Sequence, residues 1–267
     1  PDAIILHKRG PYYMVGKGKW DFSVETDKRF PTTSPIKEIT FGDINGDGFL
    51  DVMASSSGRG DQLRYFEADG LGRFVERTRE SGLEGLTGGI NLIHADYDND
   101  GDPDIFVAND TTPNFLYQNN GSGTFQNVGL FAGVALSTEG RPYSGMGTNF
   151  GDFDNDGDLD IVVTNFQDQT NSLYQNEQHV FFNEVSFSTG IGEKSLPYLA
   201  WGVDFVDLNN DGWLDLFIAN GHLDPNISDI DPVGTYAQCN QIFVNQKGQA
   251  FIDQSATIRA QQVWLQR

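Results

Sequence analysis

Cysteine and basic residues are both scarce in this 267-residue sequence. Cys239 is the single cysteine, so no disulfide can form within the chain, and an exported form needs another way to hold its fold together. Lys and Arg number 17 against 38 Asp and Glu, which gives a formal net charge of −21. Because no basic stripe is present to neutralise phosphates, we expect no nucleic-acid partner.

Long apolar runs and recognisable catalytic motifs are also missing. No run approaches the roughly 18 residues of a membrane-spanning helix, and no secretory h-region is present, so no transmembrane segment is expected. The chain opens with Pro1, which indicates a processed product or a fragment. Neither a G-x-S-x-G elbow nor a P-loop occurs, and the histidines lack metal-ligand spacing. We therefore expect a protein that is not an enzyme. The four histidines are His7, His94, His179 and His222.

One acidic segment of the form D-x-[DN]-x-D-G-x-x-D is present four times. The copies begin at Asp43, Asp96, Asp152 and Asp207, with spacings of 53, 56 and 55 residues. They contain 16 of the 38 acidic residues. Near-constant spacing of this kind indicates a structural repeat.

Each repeat predicts four short strands. In the third repeat these are YSGMGTNF, LDIVVTN, NSLYQN and FFNEVSF, and the acidic segment is the turn between the first two. Alternating apolar and polar residues around such turns are typical of β-hairpins. The predicted fold class is therefore all-β, a β-propeller of four-stranded antiparallel blades of about 55 residues. A blade cannot bury both faces of its sheet alone, so neighbouring blades must stack against it.

The repeat spacing predicts one complete or partial propeller domain over 1–267. The fourth repeat carries an insertion at 222–239, and insertions of this kind often carry binding. The predicted divisions are the second half of a blade at 1–30, repeats at 31–84, 85–139, 140–195 and 196–255, and the start of a further blade at 256–267.

The acidic segments have the composition of calcium sites. Calcium takes six to eight oxygen ligands. A tight loop can direct the side chains at segment positions 1, 3, 5 and 9, and the main-chain carbonyl at position 7, toward one point. Gly157, at position 6 of the third copy, suits a turn with φ > 0. We therefore predict four Ca²⁺ sites. Their residues at positions 1, 3, 5, 7 and 9 are Asp43, Asn45, Asp47, Phe49 and Asp51; Asp96, Asp98, Asp100, Asp102 and Asp104; Asp152, Asp154, Asp156, Asp158 and Asp160; and Asp207, Asn209, Asp211, Trp213 and Asp215.

Two other interpretations of the segment are weaker. An EF-hand needs Glu at position 12 and flanking helices, whereas these segments lead into β-branched and aromatic runs. In the four copies, position 12 is occupied in turn by Ala54, Val107, Val163 and Ile218, none of which is Glu. Asp, Asn and Gly are also ordinary turn residues, but a turn does not need three or four like charges that repel one another. We expect the second and third loops to bind most tightly, because Asn45 and Asn209 replace Asp in the other two.

These segments carry a resemblance to a known family. Loops of this form on four-stranded units resemble the FG-GAP/VCBS repeats of integrin-type propellers. More narrowly, GMGTNFGDFDNDGDLDIVVTNF and LAWGVDFVDLNNDGWLDLFIANGH, the latter followed by Y-x-Q-x-N, resemble the ASPIC/UnbV (cartilage acidic protein-like) family. The resemblance implies a seven-bladed propeller, with calcium in the blade turns, in a secreted or surface protein. This chain covers about five units and lacks the trailing ASPIC/UnbV domain.

The hypothesis from the sequence is a noncatalytic calcium-binding scaffold for adhesion, recognition or assembly. Millimolar calcium favours the cell exterior, the cell surface or the periplasm, with an extracellular protein or glycan as partner. One alternative is self-association as a filament subunit through open blade edges. Another is a glycan-binding or accessory domain of a larger secreted enzyme. An aromatic cluster of Trp201, Trp213 and Tyr236 would be evidence for a module that binds a glycan or protein on the loop face. In the insertion, a solvated acidic loop is favoured over a site at His222, Asp224, Asp229 and Asp231.

Overall fold

The computed structural model describes residues 3–5, 12–16, 22–25, 36–56, 63–71, 73–83, 89–231 and 233–257. Almost all regular structure there is antiparallel β, which confirms the all-β prediction. The predicted further blade at 256–267 lies almost entirely outside the described residues, and the repeat boundaries stay predictions. Within the described residues, no helix has both the length and the apolar character needed to cross a membrane.

The strands form one three-stranded sheet and four four-stranded sheets, each in simple sequential order. The three-stranded sheet contains β1 (Ala3–Ile5), β2 (Tyr12–Gly16) and β3 (Phe22–Glu25). Sheet 1 contains β4 (Ile36–Gly42), β5 (Asp51–Ser56), β6 (Leu63–Ala68) and β7 (Phe74–Glu76). Sheet 2 contains β8 (Gly89–Ala95), β9 (Asp104–Asn109), β10 (Phe115–Asn119) and β11 (Phe125–Asn127).

The two remaining sheets repeat the same pattern. Sheet 3 contains β12 (Gly145–Gly151), β13 (Asp160–Asn165), β14 (Ser172–Glu177) and β15 (Phe181–Glu184), so all four strands predicted for the third repeat are confirmed. Sheet 4 contains β16 (Ala200–Val206), β17 (Asp215–Asn220), β18 (Gln241–Asn245) and β19 (Phe251–Asp253). Two short helices complete the described structure, α1 (Ile191–Ser195) before sheet 4 and a 3₁₀ turn (Ile227–Asp229) in the insertion.

Sheets 1 to 4 stack face to face in chain order, so sheets 2 and 3 are covered on both faces. Along β9, Ile105 and Val107 pack against sheet 1, whereas Phe106 and Ala108 pack against sheet 3. Successive side chains of a strand point to opposite faces, so a run of apolar residues is what a sheet covered on both sides requires. Every residue of β9 and of β13 is accordingly buried. Three apolar cores therefore lie between successive sheets.

The first strands of neighbouring sheets approach closely, and Gly147 in β12 is the tightest point. A Cβ atom on Gly147 would overlap the main-chain carbonyl oxygen of Trp201 in β16, and it would lie 2.9 Å from Thr164 Oγ1. Gly202 occupies the equivalent place in sheet 4, where the nearest atom to an added Cβ is Ala219 Cβ at 3.9 Å. Glycine is thus required between sheets 3 and 4 but not on the outer side of sheet 4.

This difference predicts unequal effects of one substitution at two equivalent glycines. We expect Gly147→Ala to lower the free energy of unfolding by about 2 kcal/mol, because backbone must move to admit the methyl group. Gly202→Ala should change it by less than about 0.5 kcal/mol. Urea denaturation of both variants measures the difference, and equal effects would contradict the stacking described here.

Candidate metal centre

The four acidic loops connect the first and second strands of sheets 1 to 4, as predicted. They are loop 1 (43–51), loop 2 (96–104), loop 3 (152–160) and loop 4 (207–215). Loop position 4 is Gly or Asn and position 6 is always Gly, and both adopt positive φ, including 96° at Gly157. Glycine adopts this conformation without strain, and asparagine tolerates it. The sequence pattern therefore specifies the loop backbone.

The first aspartate of each loop organises the turn. In loop 3, Asp152 Oδ1 accepts the Asp156 N–H at 3.1 Å and Asp152 Oδ2 accepts the Gly157 N–H at 3.0 Å. Asp156 Oδ1 in turn accepts the Asp158 N–H at 2.9 Å. The same bonds recur in loops 1, 2 and 4. Each loop thus curls around its own carboxylates.

Two of the loops bring three carboxylates together. In each group, oxygen atoms from the three side chains lie within 4.8 Å of one another. In loop 3, Asp154 Oδ1 is buried and has no hydrogen-bond partner. A buried unpaired carboxylate oxygen is costly, and carboxylate oxygens are the donors that calcium prefers. The donor set therefore fits a hard divalent cation. The groups are Asp96, Asp98 and Asp104 in loop 2, and Asp152, Asp154 and Asp156 in loop 3.

The aspartate at position 9 is buried at the start of the second strand. Asp160 Oδ2 accepts the Phe153 N–H at 3.0 Å, and Asp160 Oδ1 accepts the Asn176 N–H at 2.8 Å. Burial nevertheless raises the pKa of Asp160 to about 8, and burial raises the pKa of Asp104 to about 8 as well. At neutral pH a carboxylate here is ionised only at a cost, which a bound cation would offset.

Two glutamines that the sequence pattern did not predict contact the carboxylates of the acidic loops. Gln118 Nε2 donates to Asp98 Oδ2, and Gln175 Nε2 donates to Asp154 Oδ2, each at 2.5 Å. Both glutamines lie on the third strand, in the segment LYQN. A signal was available, because Gln occurs in the two repeats with Asp at position 3. Where position 3 is Asn, the equivalent residues are Glu67 and Val244.

Loops 1 and 4 are held differently. Asn45 Nδ2 donates to Asp47 Oδ2 at 3.1 Å, and Asn209 Nδ2 donates to Asp211 Oδ2 at 3.0 Å. A neutral amide therefore replaces one carboxylate and pairs with another, which reduces repulsion without a cation. Within the described chain, converging groups of three metal-binding side chains are found at loops 2 and 3. The geometry favours these two loops, and a count of four sites stays a prediction.

Buried asparagines connect each loop to the next. Asn176 Nδ2 in sheet 3 donates to the Tyr97 carbonyl of loop 2 at 2.9 Å and to the Leu159 carbonyl of loop 3 at 3.1 Å. Asn119 and Asn245 make the equivalent pairs of bonds between loops 1 and 2 and between loops 3 and 4. The third-strand asparagine of sheets 2, 3 and 4 therefore joins neighbouring sheets at the acidic loops.

The side chain at position 7 also has a packing role. The sequence pattern predicted a role only for the main-chain carbonyl of this residue. In sheets 1, 2 and 4 it covers the glycine of the hairpin between the third and fourth strands. In sheet 3, Asp158 Oδ1 instead lies 3.2 Å from His179 Nδ1 on that hairpin. The covering pairs are Phe49 with Gly70, Asp102 with Gly121 and Trp213 with Gly248.

The aromatic candidates lie at two ends of sheet 4. Trp201 is the second residue of β16 and donates its Nε1–H to the Gly221 carbonyl at 2.7 Å, whereas Trp213 lies in loop 4, beyond the other end of that strand. These two tryptophans are therefore not in one cluster with Tyr236, contrary to the aromatic site considered from the sequence. His222 Nδ1 accepts the Asp224 N–H at 3.0 Å. This contact lies within the folded insertion, and His7 lies outside the described residues.

Comparison with known families confirms the repeat. The profile of the FG-GAP-like repeat matches residues 96–163 and 152–218, which together contain loops 2, 3 and 4. The chain carries FG-GAP-like repeats. Each FG-GAP-like repeat in this chain therefore corresponds to one four-stranded sheet with its acidic loop.

The FG-GAP-like chain is also similar to cartilage acidic protein 1. It is 31% identical to the human protein over 186 residues, which cover 69% of this chain and 26% of that protein. It is 32% identical to the Xenopus tropicalis protein over 142 residues, which cover 53% of this chain and 21% of that protein. The chain thus spans about a quarter of the length of these relatives.

Two solved structures share the fold of the FG-GAP-like chain. One is an Agrocybe aegerita lectin that recognises non-reducing terminal N-acetylglucosamine, with a TM-score of 0.55 and 16% identity over 94% of this chain and 64% of that one. The other is the V. cholerae biofilm matrix protein Bap1, with a TM-score of 0.52 and 13% identity over 94% of this chain and 34% of that one. At these identities the likeness concerns the fold alone.

Proposed function

We propose that this chain is a noncatalytic, calcium-stabilised scaffold of the β-propeller type that works outside cells in adhesion, recognition or assembly. The observation that carries the proposal is the convergence of three carboxylates in loop 3, where Asp154 Oδ1 is buried without a partner. Loop 2 also brings three carboxylates together, from positions 1, 3 and 9. Calcium, when bound, would neutralise the mutual repulsion of these carboxylates.

The surroundings of the loops support a structural role for the metal. The loop carboxylates are held by main-chain N–H groups, and buried asparagines tie each loop to the next sheet. Ordering one loop therefore also orders the contact between two sheets. We assign the metal to stability and not to catalysis because these groups hold backbone in place.

The extracellular setting and the propeller form rest on separate observations. Extracellular modules bind calcium at roughly 10⁻⁴–10⁻³ M, a range in which cytosolic calcium would leave sites empty. The similarity to cartilage acidic protein 1 favours the same setting. Four sheets stacked face to face in chain order, with their first strands adjacent, are the arrangement of propeller blades.

The proposed partners are an extracellular protein or a glycan. The insertion at 222–239 is the surface that we assign to them, because it folds between the second and third strands of sheet 4 and exposes large apolar side chains. These side chains are Leu223, Ile230, Val233 and Tyr236.

Removal of calcium tests the proposal. At a concentration ten times the dissociation constant, each site should add about 1.4 kcal/mol to the free energy of unfolding, hence about 3 kcal/mol for loops 2 and 3. Urea denaturation of metal-stripped protein, with and without millimolar calcium, measures this, and magnesium is the control because it demands near-octahedral geometry. Unfolding curves that coincide with and without calcium would refute the proposal.

A further inference from the structure

A cavity of about 200 Å³ lies at the junction of sheets 1 and 2. It is lined by residues of β6, of the turn that follows β7, and of the hairpin between β10 and β11. Sites for drug-sized ligands measure roughly 300–1,000 Å³, so this cavity has room for one small ring and not for a longer molecule. The lining includes Tyr65, Glu67, Arg77, Glu80, Ser122 and Thr124.

The charged residues of the lining replace different residues at the other two junctions. Arg77 directly follows the fourth strand of sheet 1, and its main-chain N–H donates to the third strand, as the equivalent residues of sheets 2 and 3 do. Those residues are valines that pack against apolar cores, whereas the Arg77 side chain is 42% exposed. The repeat has therefore exchanged a core residue for a charge at this junction. The equivalents are Val128 and Val185 for Arg77, and Phe131 and Ser188 for Glu80.

Arg77 lies near two carboxylates. Its Nε–H, one of the five N–H groups of a guanidinium, donates to Glu67 Oε2 at 2.8 Å. This hydrogen bond raises the pKa of Arg77, and the negative charge of Glu80 adds to the effect. Within the described part of the chain, Glu80 has no hydrogen-bond or ion-pair partner of its own. The cavity therefore presents N–H donors and carboxylate acceptors side by side.

The hairpin of sheet 2 adds hydroxyl groups to the lining. Ser122 and Thr124 are both exposed. Ser122 Oγ donates to Asn120 Oδ1 at 2.7 Å and keeps its acceptor lone pairs. Tyr65 is 2% exposed, and its hydroxyl donates to Asp51 Oδ2 at 2.8 Å, which holds the aromatic ring in place. The lining thus combines fixed and solvent-facing groups.

This mixture of groups favours a neutral ligand with several hydroxyls. An anion would be repelled by Glu67 and Glu80, and a cation would be repelled by Arg77. A hydroxyl group both donates and accepts. Neighbouring hydroxyls on one ring can therefore accept from the guanidinium and donate to a carboxylate, and hydrogen bonds to charged groups are the stronger ones.

We propose that the cavity between sheets 1 and 2 binds one neutral pyranose residue. Arg77 donates to its hydroxyls, Glu67 and Glu80 accept from them, and Thr124 completes the contact from sheet 2. The inference goes beyond the proposed function, because the insertion assigned there belongs to sheet 4. It also requires no metal ion, since the groups that carry it are side chains of the cavity.

Saturation-transfer NMR with the methyl pyranosides of glucose, galactose, mannose and N-acetylglucosamine tests the proposal. We expect at least one of them to bind with a dissociation constant of about 1 mM, both in metal-free buffer and in millimolar calcium. Arg77→Val with Glu80→Ser copies the residues of sheet 3 and should weaken binding at least about tenfold. Thr124→Val removes one hydroxyl at nearly constant shape and should weaken it about threefold or more.

The matched control is Glu139→Ser with Arg141→Val, which removes an exposed Arg–Glu pair elsewhere and should leave binding unchanged. Tetrahydropyran-2-methanol, lysine and glutamate are the control ligands, and none should displace the sugar. No pyranoside binding up to about 20 mM would overturn the proposal, as would equal binding by the wild type and both cavity variants. Displacement by lysine or glutamate, or sugar binding that requires calcium, would equally overturn it. Sugar binding without any stabilisation by calcium would refute the proposed function alone.

Discussion

Raising the pH of the metal-free protein from 6.5 to 8 is expected to lower its free energy of unfolding by about 3 kcal/mol. The cause is the burial of Asp104 and Asp160, which raises the pKa of each carboxyl to about 8. In the unfolded chain an aspartate has a pKa near 3.9, so the folded protein binds more protons throughout the interval between. Stability must then fall as pH rises, by up to about 1.4 kcal/mol per pH unit for each group.

Above pH 6.5 His94 opposes this change by no more than about 0.4 kcal/mol, because an unfolded imidazole is already half neutral at the start of the interval. Burial lowers the pKa of His94, so its contribution has the opposite sign and is complete once the unfolded imidazole is neutral. The measurement is urea denaturation in metal-stripped buffers at several pH values. Asp104→Asn with Asp160→Asn should flatten the slope even though the variant starts from a lower stability. Stability of the metal-free wild type that is flat or rises over this interval would contradict the assignment.

Replacing Asn176 by Ala is expected to lower the free energy of unfolding by about 3 to 5 kcal/mol. Asn176 is 2% exposed, and its amide donates to the Tyr97 and Leu159 carbonyls while its oxygen accepts the His179 N–H at 3.1 Å. The substitution removes all three bonds and leaves two carbonyls at the interface between the sheets without these donors, at about 1 to 3 kcal/mol for each unpaired group. The loss should appear equally with and without calcium, because the interface between the sheets is broken directly.

Two matched variants complete this experiment. Asn245→Ala breaks the equivalent contact between sheets 3 and 4 and should behave like Asn176→Ala. Asn183→Ala removes an exposed asparagine that donates to Glu177, and it should cost less than about 0.5 kcal/mol. Equal and small effects at all three positions would show that the buried asparagines do not hold the sheets together.

The sequence predicted the parts of the fold that depend on local pattern. Strand alternation and the spacing of Asp and Gly specify four-stranded units with an acidic turn, and positive φ at Gly157 follows from the turn alone. Residues within one loop are close in sequence, so their convergence could be anticipated at Asp152, Asp154 and Asp156. These features require no knowledge of how the sheets are arranged.

What escaped prediction depends on contacts between distant segments. Gln175 reaches Asp154 from the third strand, and Asn176 reaches Tyr97 in the preceding loop, 79 residues away. Such contacts follow from the angle at which one sheet stacks on the next, which a single-sheet pattern does not contain. Trp201 and Trp213 are separated by the length of β16, because Trp201 lies near the start of that strand and Trp213 lies in the loop beyond its end.

Calorimetric titration of calcium into metal-stripped protein tests the central claim most directly. The wild type is compared with Asp98→Asn plus Asp154→Asn, which removes one carboxylate from each converging group, and with Asn45→Ala plus Asn209→Ala as the matched change in loops 1 and 4. We expect calcium to bind the wild type at submillimolar to millimolar concentration, with the tightest phase lost in the first variant and retained in the second. Identical isotherms for the wild type and the first variant, or no heat of binding up to several millimolar calcium, would contradict a calcium-stabilised scaffold.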